Sequence, residues 1–328
     1  MHTMLFFILA TLLGLALLGW SADRFVTGAA SLARNLGIST LIIGLTIVAF
    51  GTSAPEMLVS AMAAWQGNSG LAIGNAIGSN IANVGLVLGL TALLIPLTVQ
   101  SNTLRREFPL LLVVTLGTFA LLWDAQLGRI DGIILVAGLF MIIAWTVHLA
   151  RQTKTDDPIT QEMQEELAAG LSTRQAFWLL LSGLILLLLA SRMLVWGAVG
   201  IAEHFGVSDL VIGLTIVAIG TSLPELAASI AAVRKGEDDI AVGNIVGSNL
   251  FNLLAVLGIA GLIGPGPVDA MALSRDYPLM LGMTIMLFIL AGDFHKPGPG
   301  RIVRWEGAAL FSAFIGYQGW LVYISYAG

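Results

Sequence analysis

The chain has 328 residues, 57% of them hydrophobic and 11% charged, with a net charge of -5 and no cysteine. This excludes an ordinary soluble globular domain, a disulfide framework, a thiolate metal site and a basic face for nucleic acid. It describes a membrane protein that meets lipid first, with no protein partner and no cofactor indicated.

Apolar runs long enough to cross a bilayer predict ten helices, near 4–22, 38–64, 70–96, 108–123, 130–150, 175–200, 207–233, 239–264, 277–292 and 305–325. The first run could pass for a signal peptide, but no Lys or Arg precedes Arg24, so it is read as a span. The long first and sixth segments call for tilt or extension along the interface. Between the fifth and sixth spans, 151–173 contains the acidic stretch TDDPITQEMQEEL and reads as a cytoplasmic linker. It separates a first unit, 1–150, from a second, 174–328. The histidines His2, His148, His204 and His295 fall near span ends or in loops, which argues against a soft-metal carrier built on imidazole.

The two units repeat one another. GLTIVAFGTSAPEMLVS, starting at Gly44, matches GLTIVAIGTSLPELAAS, starting at Gly213, at 12 of 17 positions, an offset of 169. At the same offset GNAIGSNIANVGLVLG from Gly74 matches GNIVGSNLFNLLAVLG from Gly243 at 9 of 16. Five spans per copy is an odd number, so the second copy enters the membrane from the opposite side: the predicted fold is all-α, ten transmembrane helices as two inverted five-helix repeats, with broken second and seventh helices. With the N-terminus outside, twelve basic residues lie in inner loops and only Arg129 and Arg275 in outer ones, Arg192 being ambiguous. That is the positive-inside pattern for both termini outside and the linker cytoplasmic.

Glu56 and Glu225 are the acidic residues set deep in predicted spans, with no Lys, Arg or His in the middle of either span. A charge there costs roughly 3 kcal/mol by insertion scales, so each must be protonated or balanced by a cation. Gly51 and Pro55 interrupt the helix in mid-membrane, which is expected to free carbonyls around Ala49 and Phe50, while Thr52 and Ser53 add hydroxyls. The second copy supplies Ala218, Ile219, Thr221, Ser222 and Glu225. In the next spans Asn75, Ser79 and Asn83 recur every four residues on one helical face, repeated as Asn244, Ser248 and Asn252. An all-oxygen set of this kind suits a hard cation such as Ca2+. Two blander readings compete: S-x-x-E is also a capping box, and asparagine and glycine serve close helix packing. Packing is preferred for Gly74, Gly78, Gly243 and Gly247.

These paired motifs resemble the two alpha-repeats of the cation/Ca2+ exchanger superfamily, over nearly the whole chain, and are closest to its compact prokaryotic Na+/Ca2+ exchanger branch. The resemblance implies that Thr52, Ser53, Glu56, Ser79 and Asn83, with Thr221, Ser222, Glu225, Ser248 and Asn252, bind the exchanged Ca2+ and Na+, helped by the carbonyls of Ala49 and Ala218. It also implies that the first and sixth helices slide as a gating pair. Some relatives, including K+-dependent ones, carry Asp at the position of Asn252, so the Asn83/Asn252 symmetry here argues against a K+ requirement. The branch that exchanges Ca2+ for protons typically replaces the GTS stretch, so Thr52-Ser53 points away from it. The expected activity is Ca2+/Na+ antiport in the plasma (inner) membrane. Ca2+/H+ antiport is the nearest alternative, a cation channel a further one, and an enzyme is disfavoured because no nucleophile or catalytic metal set accompanies the carboxylates.

Overall fold

The computed structural model describes residues 2–99, 101–152, 170–206, 218–291 and 300–327. Its helices are α1 (His2–Leu36), α2 (Thr40–Thr52), α3 (Ala54–Trp65), α4 (Ser69–Leu94), α5 (Ser101–Leu121), α6 (Arg129–Gln152), α7 (Thr173–His204), α8 (Ala218–Thr221), α9 (Leu223–Arg234), α10 (Asp238–Ile263), α11 (Tyr277–Ala291) and α12 (Arg304–Ala327). Among the described residues eight helices are long and apolar enough to cross a membrane, and the bent pair α2–α3 brings this to nine. The protein is therefore multi-pass. The seventh predicted span begins at 207–217 and the linker occupies 151–173; residues 207–217 and 153–169 lie outside the described residues.

Burial separates a core from a lipid-facing rim. The most apolar stretches of α4 and α10 are 78% and 89% buried inside the protein, against 17% for those of α1, α6 and α12. The two central helices carry the asparagine stripes, so polar side chains are kept from lipid by the outer helices.

α1 and α7 form a long pair against the core. At 35 residues α1 is about 50 Å long, more than the roughly 30 Å of hydrocarbon, so it crosses tilted. It does not end near residue 22 as its charges suggest. Asp23, Arg24 and Arg34 lie within the helix, and Arg24 stacks over Trp20 at 4.1 Å. Close approach in this pair depends on glycine: a Cβ on Gly14 would lie 2.8 Å from the Leu194 amide nitrogen, and one on Gly183 would lie 2.6 Å from that of Phe25. Gly14 and Gly183 are offset mates, and so are Phe25 and Leu194. The contact is thus reciprocal, as a two-fold relation between the halves would make it. The turns are mated as well. Gly37 and Gly206 follow α1 and α7 with φ of 62° and 76°, left-handed conformations that favour glycine.

The fold is not wholly helical, since two short antiparallel ladders join the loops: β1 (Leu97–Val99) with β4 (Gly300–Ile302), and β2 (Gln126–Leu127) with β3 (Gly266–Pro267). Loop backbone groups that meet in this way satisfy each other's hydrogen bonds. Beside β1–β4, Thr98 N donates to Asp238 Oδ2 at 2.8 Å, Arg34 pairs with Glu237 at 3.2 Å and Lys235 with Asp23 at 2.6 Å. Beside β2–β3, Ser69 Oγ donates to the Pro267 carbonyl at 3.3 Å. The loops thus fall into two groups, each bonded within itself.

Candidate functional site

The break between α2 and α3 is local and inexpensive. Pro55 and Pro224 occupy the first turns of α3 and α9, where a missing N–H has no helical partner to lose. Ser53 (φ -83°, ψ 3°) and Ser222 (φ -91°, ψ 4°) leave helical geometry just before them, and α2 and α3 meet at 45°. Such a modest bend does not free the Ala49 carbonyl outright, contrary to expectation. That oxygen still accepts the Ser53 N–H at 3.0 Å and lies 3.4 Å from the Thr52 hydroxyl. Ala218, the equivalent residue of the second half, is the first described residue of α8.

The capping-box reading fails at both breaks, for neither serine side chain caps its helix. Ser53 Oγ instead donates to Glu225 Oε1 at 3.3 Å, joining the two halves through the residues that the repeat singles out. Thr52, Ser53, Glu56, Ser79, Asn83, Ser222, Glu225, Ser248 and Asn252 are all buried, each 6% exposed or less. Thr221 is half-buried and borders a cavity of about 600 Å³ between α7 and α3, whose lining also includes Pro55, Leu58, Arg192, Trp196 and Pro224. The pair α1 and α9, which is the repeat counterpart of α7 and α3, is packed together, so the halves differ on the two sides of the site.

Asn75 and Asn244 act elsewhere than expected from their stripe. The Asn75 amide donates to the Glu56 carbonyl at 3.1 Å and to Ser60 Oγ at 2.9 Å. Asn244 does the same to the Glu225 carbonyl at 3.3 Å and Ser229 Oγ at 3.1 Å. Each ties the start of a half-helix to the core helix beside it. Asn244 Oδ1 additionally accepts the Thr52 hydroxyl at 3.0 Å. Ser60 and Ser229 were not anticipated, although they too are offset mates. Nor were Asn80 and Asn249, which bond to Asn252 and Asn83. They stand three residues, not four, before Asn83 and Asn252, and so fall off the stripe; their signal was the repeated G-S-N triplet.

Asn83 and Asn252 each begin a π-helical turn, Asn83–Leu88 and Asn252–Val256, a departure that clusters at functional sites. Nine buried side-chain oxygens among the described residues have no hydrogen-bond partner. Five belong to the candidate set: Glu56 Oε2, Glu225 Oε2, Ser222 Oγ, Ser248 Oγ and Asn252 Oδ1. A buried oxygen without a donor costs about 1–3 kcal/mol, and a cation satisfies several at once.

Comparison with known proteins agrees with this chemistry. The family model described as sodium/calcium exchanger protein matches residues 6–148 and 175–323. Among curated relatives, the putative antiporter CaxA of Alkalimonas amylolytica is 55% identical, over 94% of this chain and 96% of its own. The inner membrane protein YrbG of Escherichia coli is 47% identical over 96% of both, and the sodium/calcium exchanger MaX1 of Methanosarcina acetivorans 34% over 96% and 98%. A solved structure of the sodium-calcium exchanger NCX_Mj, soaked without Na+ and Ca2+, superposes with a TM-score of 0.82 at 32% identity, covering 97% of this chain and 99% of that one. With the family model spanning most of both halves, the chain belongs to the sodium/calcium exchanger protein family.

Proposed function

We propose that the protein is a secondary active antiporter that exchanges Ca2+ for Na+ by alternating access at one mid-membrane site. The proposed ligands are the side chains of Thr52, Ser53, Glu56, Ser79 and Asn83 and of Thr221, Ser222, Glu225, Ser248 and Asn252, with the carbonyls of Ala49 and Ala218. The observation that carries this reading is the concentration of buried, unpartnered oxygens on the residues picked out by the repeat, two of them on carboxylates. A soluble-type capping role would have used the serines, and it does not.

Exchange rather than leak follows from the charge. Two carboxylates balance one Ca2+ or two Na+. An empty site carries two uncompensated charges, each costing roughly 3 kcal/mol at bilayer depth, so only the loaded protein reorients. Downhill Na+ entry then expels Ca2+.

The architecture we assign is ten spans as two inverted repeats, 1–150 and 174–328, joined by a cytoplasmic linker at 151–173, with both termini outside. The reciprocal α1–α7 contact and the mated hydrogen bonds support the two-fold relation. The division of the loops into two bonded groups supports the orientation, because the group containing Arg34, Lys235 and Arg301 holds loops assigned inside. In this orientation the cavity beside α7 opens outward, and the α1–α9 contact closes the inner side. Localisation in the inner membrane accords with the name of the Escherichia coli relative.

The test is isotopic Ca2+ flux in proteoliposomes under imposed ion gradients. Ca2+ uptake is expected to follow an outward Na+ gradient and to vanish in Glu56→Gln and Glu225→Gln. Flux driven by a pH gradient without Na+ reassigns the counter-ion to H+; uptake that ignores both gradients overturns exchange altogether.

A further inference from the structure

Four asparagines meet where the two halves join, in two mated bonds. Asn83 Nδ2 donates to Asn249 Oδ1 at 3.1 Å, and Asn252 Nδ2 donates to Asn80 Oδ1 at 3.2 Å. The offset that relates 80 to 249 also relates 83 to 252, so each bond is the counterpart of the other. All four side chains are buried.

A carboxamide has an accepting oxygen and a donating nitrogen of nearly the same shape, so its usefulness to a cation depends on which end faces it. The oxygen attracts a cation and the NH2 repels it. A buried NH2 also needs an acceptor of its own. Asn80 and Asn249 supply that acceptor from the opposite half.

The direction of one chain is anchored at its far end. Asn80 Nδ2 donates to Met280 Sδ at 3.4 Å, and a thioether can only accept. This commits Asn80 Oδ1 to Asn252, which in turn commits Asn252 Nδ2 away from the site. Its Oδ1 is left buried and without a partner among the described residues. Reversing Asn252 would set its oxygen against that of Asn80.

We infer that Asn80 and Asn249 are positioning residues that fix the amide orientation of Asn252 and Asn83, presenting their oxygens to the transported cation. The inference rests on the assignment of Asn83 and Asn252 as ligands made above. It adds a requirement that both halves be docked, since each half aims a ligand of the other.

A carboxylate has no NH2 to aim, so Asn252→Asp removes the need for Asn80 while keeping an oxygen ligand. The experiment is Ca2+ uptake in proteoliposomes for Asn252→Ala, Asn80→Ala, Asn252→Asp and the Asn80→Ala/Asn252→Asp double variant. Asn80→Ala is expected to raise the half-saturating Ca2+ about tenfold, with a smaller effect on the maximal rate. In the Asn252→Asp background the same change is expected to cost less than about twofold, as non-additivity between coupled residues requires. An equal loss in both backgrounds means a purely structural role and overturns the inference. So does an unaffected Asn80→Ala beside an impaired Asn252→Ala, which leaves the ligand assignment intact. An unaffected Asn252→Ala removes the ligand assignment itself. Asn249→Ala against Asn83→Asp is an independent second cycle should Asn80→Ala not fold.

Discussion

Ser53 Oγ donates to Glu225 Oε1 at 3.3 Å, while its repeat mate Ser222 Oγ is buried with no partner among the described residues. The hydroxyl from one helix break therefore supports the carboxylate of the other half, and the support is one-sided. Ser53→Ala is expected to raise the half-saturating Ca2+ about five- to tenfold, the scale of a hydrogen bond to a charged group reduced for a membrane interior. Ser53→Thr, which keeps the hydroxyl, should restore most of it. Equilibrium Ca2+ binding to detergent-solubilised protein would check both.

Asn244 holds three partners, the Glu225 carbonyl, Ser229 Oγ and Thr52 Oγ1, and the first two repeat at Asn75 as the Glu56 carbonyl and Ser60 Oγ. Asn244→Ala is expected to destabilise the protein by about 2 kcal/mol, from the buried groups it leaves unpaired. Thermal melting followed by tryptophan fluorescence measures this directly. Asn244→Asp, which loses both donated bonds, should recover little.

Arg192 is exposed and lines the cavity that leads towards Pro55 and Thr221. A fixed positive charge on a cation's path opposes Ca2+ more than Na+. At roughly 10 Å in water the repulsion is about 0.4 kcal/mol for a monovalent ion and about twice that for a divalent one. Arg192→Gln is therefore expected to speed Ca2+ entry from the cavity side about fourfold and Na+ entry about twofold at low ionic strength. Both gains should fade in high salt. Initial rates across a salt series test the sign and the ratio; an equal effect on the two ions would contradict the electrostatic account.

The glutamates and the helix breaks were legible in the sequence because a charge in an apolar run and a mid-span proline are conspicuous, and the repeat marks them twice. The asparagines that aim Asn83 and Asn252 were not, because periodicity selects one helical face and they occupy the next. The length of α1 was hidden for a related reason. Asp23, Arg24 and Arg34 look like the end of a span, yet long cationic side chains on a tilted helix reach the interface, and Asp23 is joined by Lys235 there. The free Ala49 carbonyl was expected from the rule that proline breaks helices. Pro55 sits at the second position of α3, after the Ser53 N–H that the Ala49 carbonyl accepts, so that bond is kept.

The repeat also provides a ruler for motion. If transport interchanges the conformations of the two halves, then bonds present in both copies survive the cycle, as with the Asn75 and Asn244 ties and the two asparagine–asparagine bonds. Contacts with unequal mates are the ones that must be remade: Ser53 with Glu225, and Asp23 with Lys235, whose counterparts are Arg192 and Gln66. Sorting paired substitutions by whether mates cost the same would then separate the rigid frame from the moving parts without a second structure.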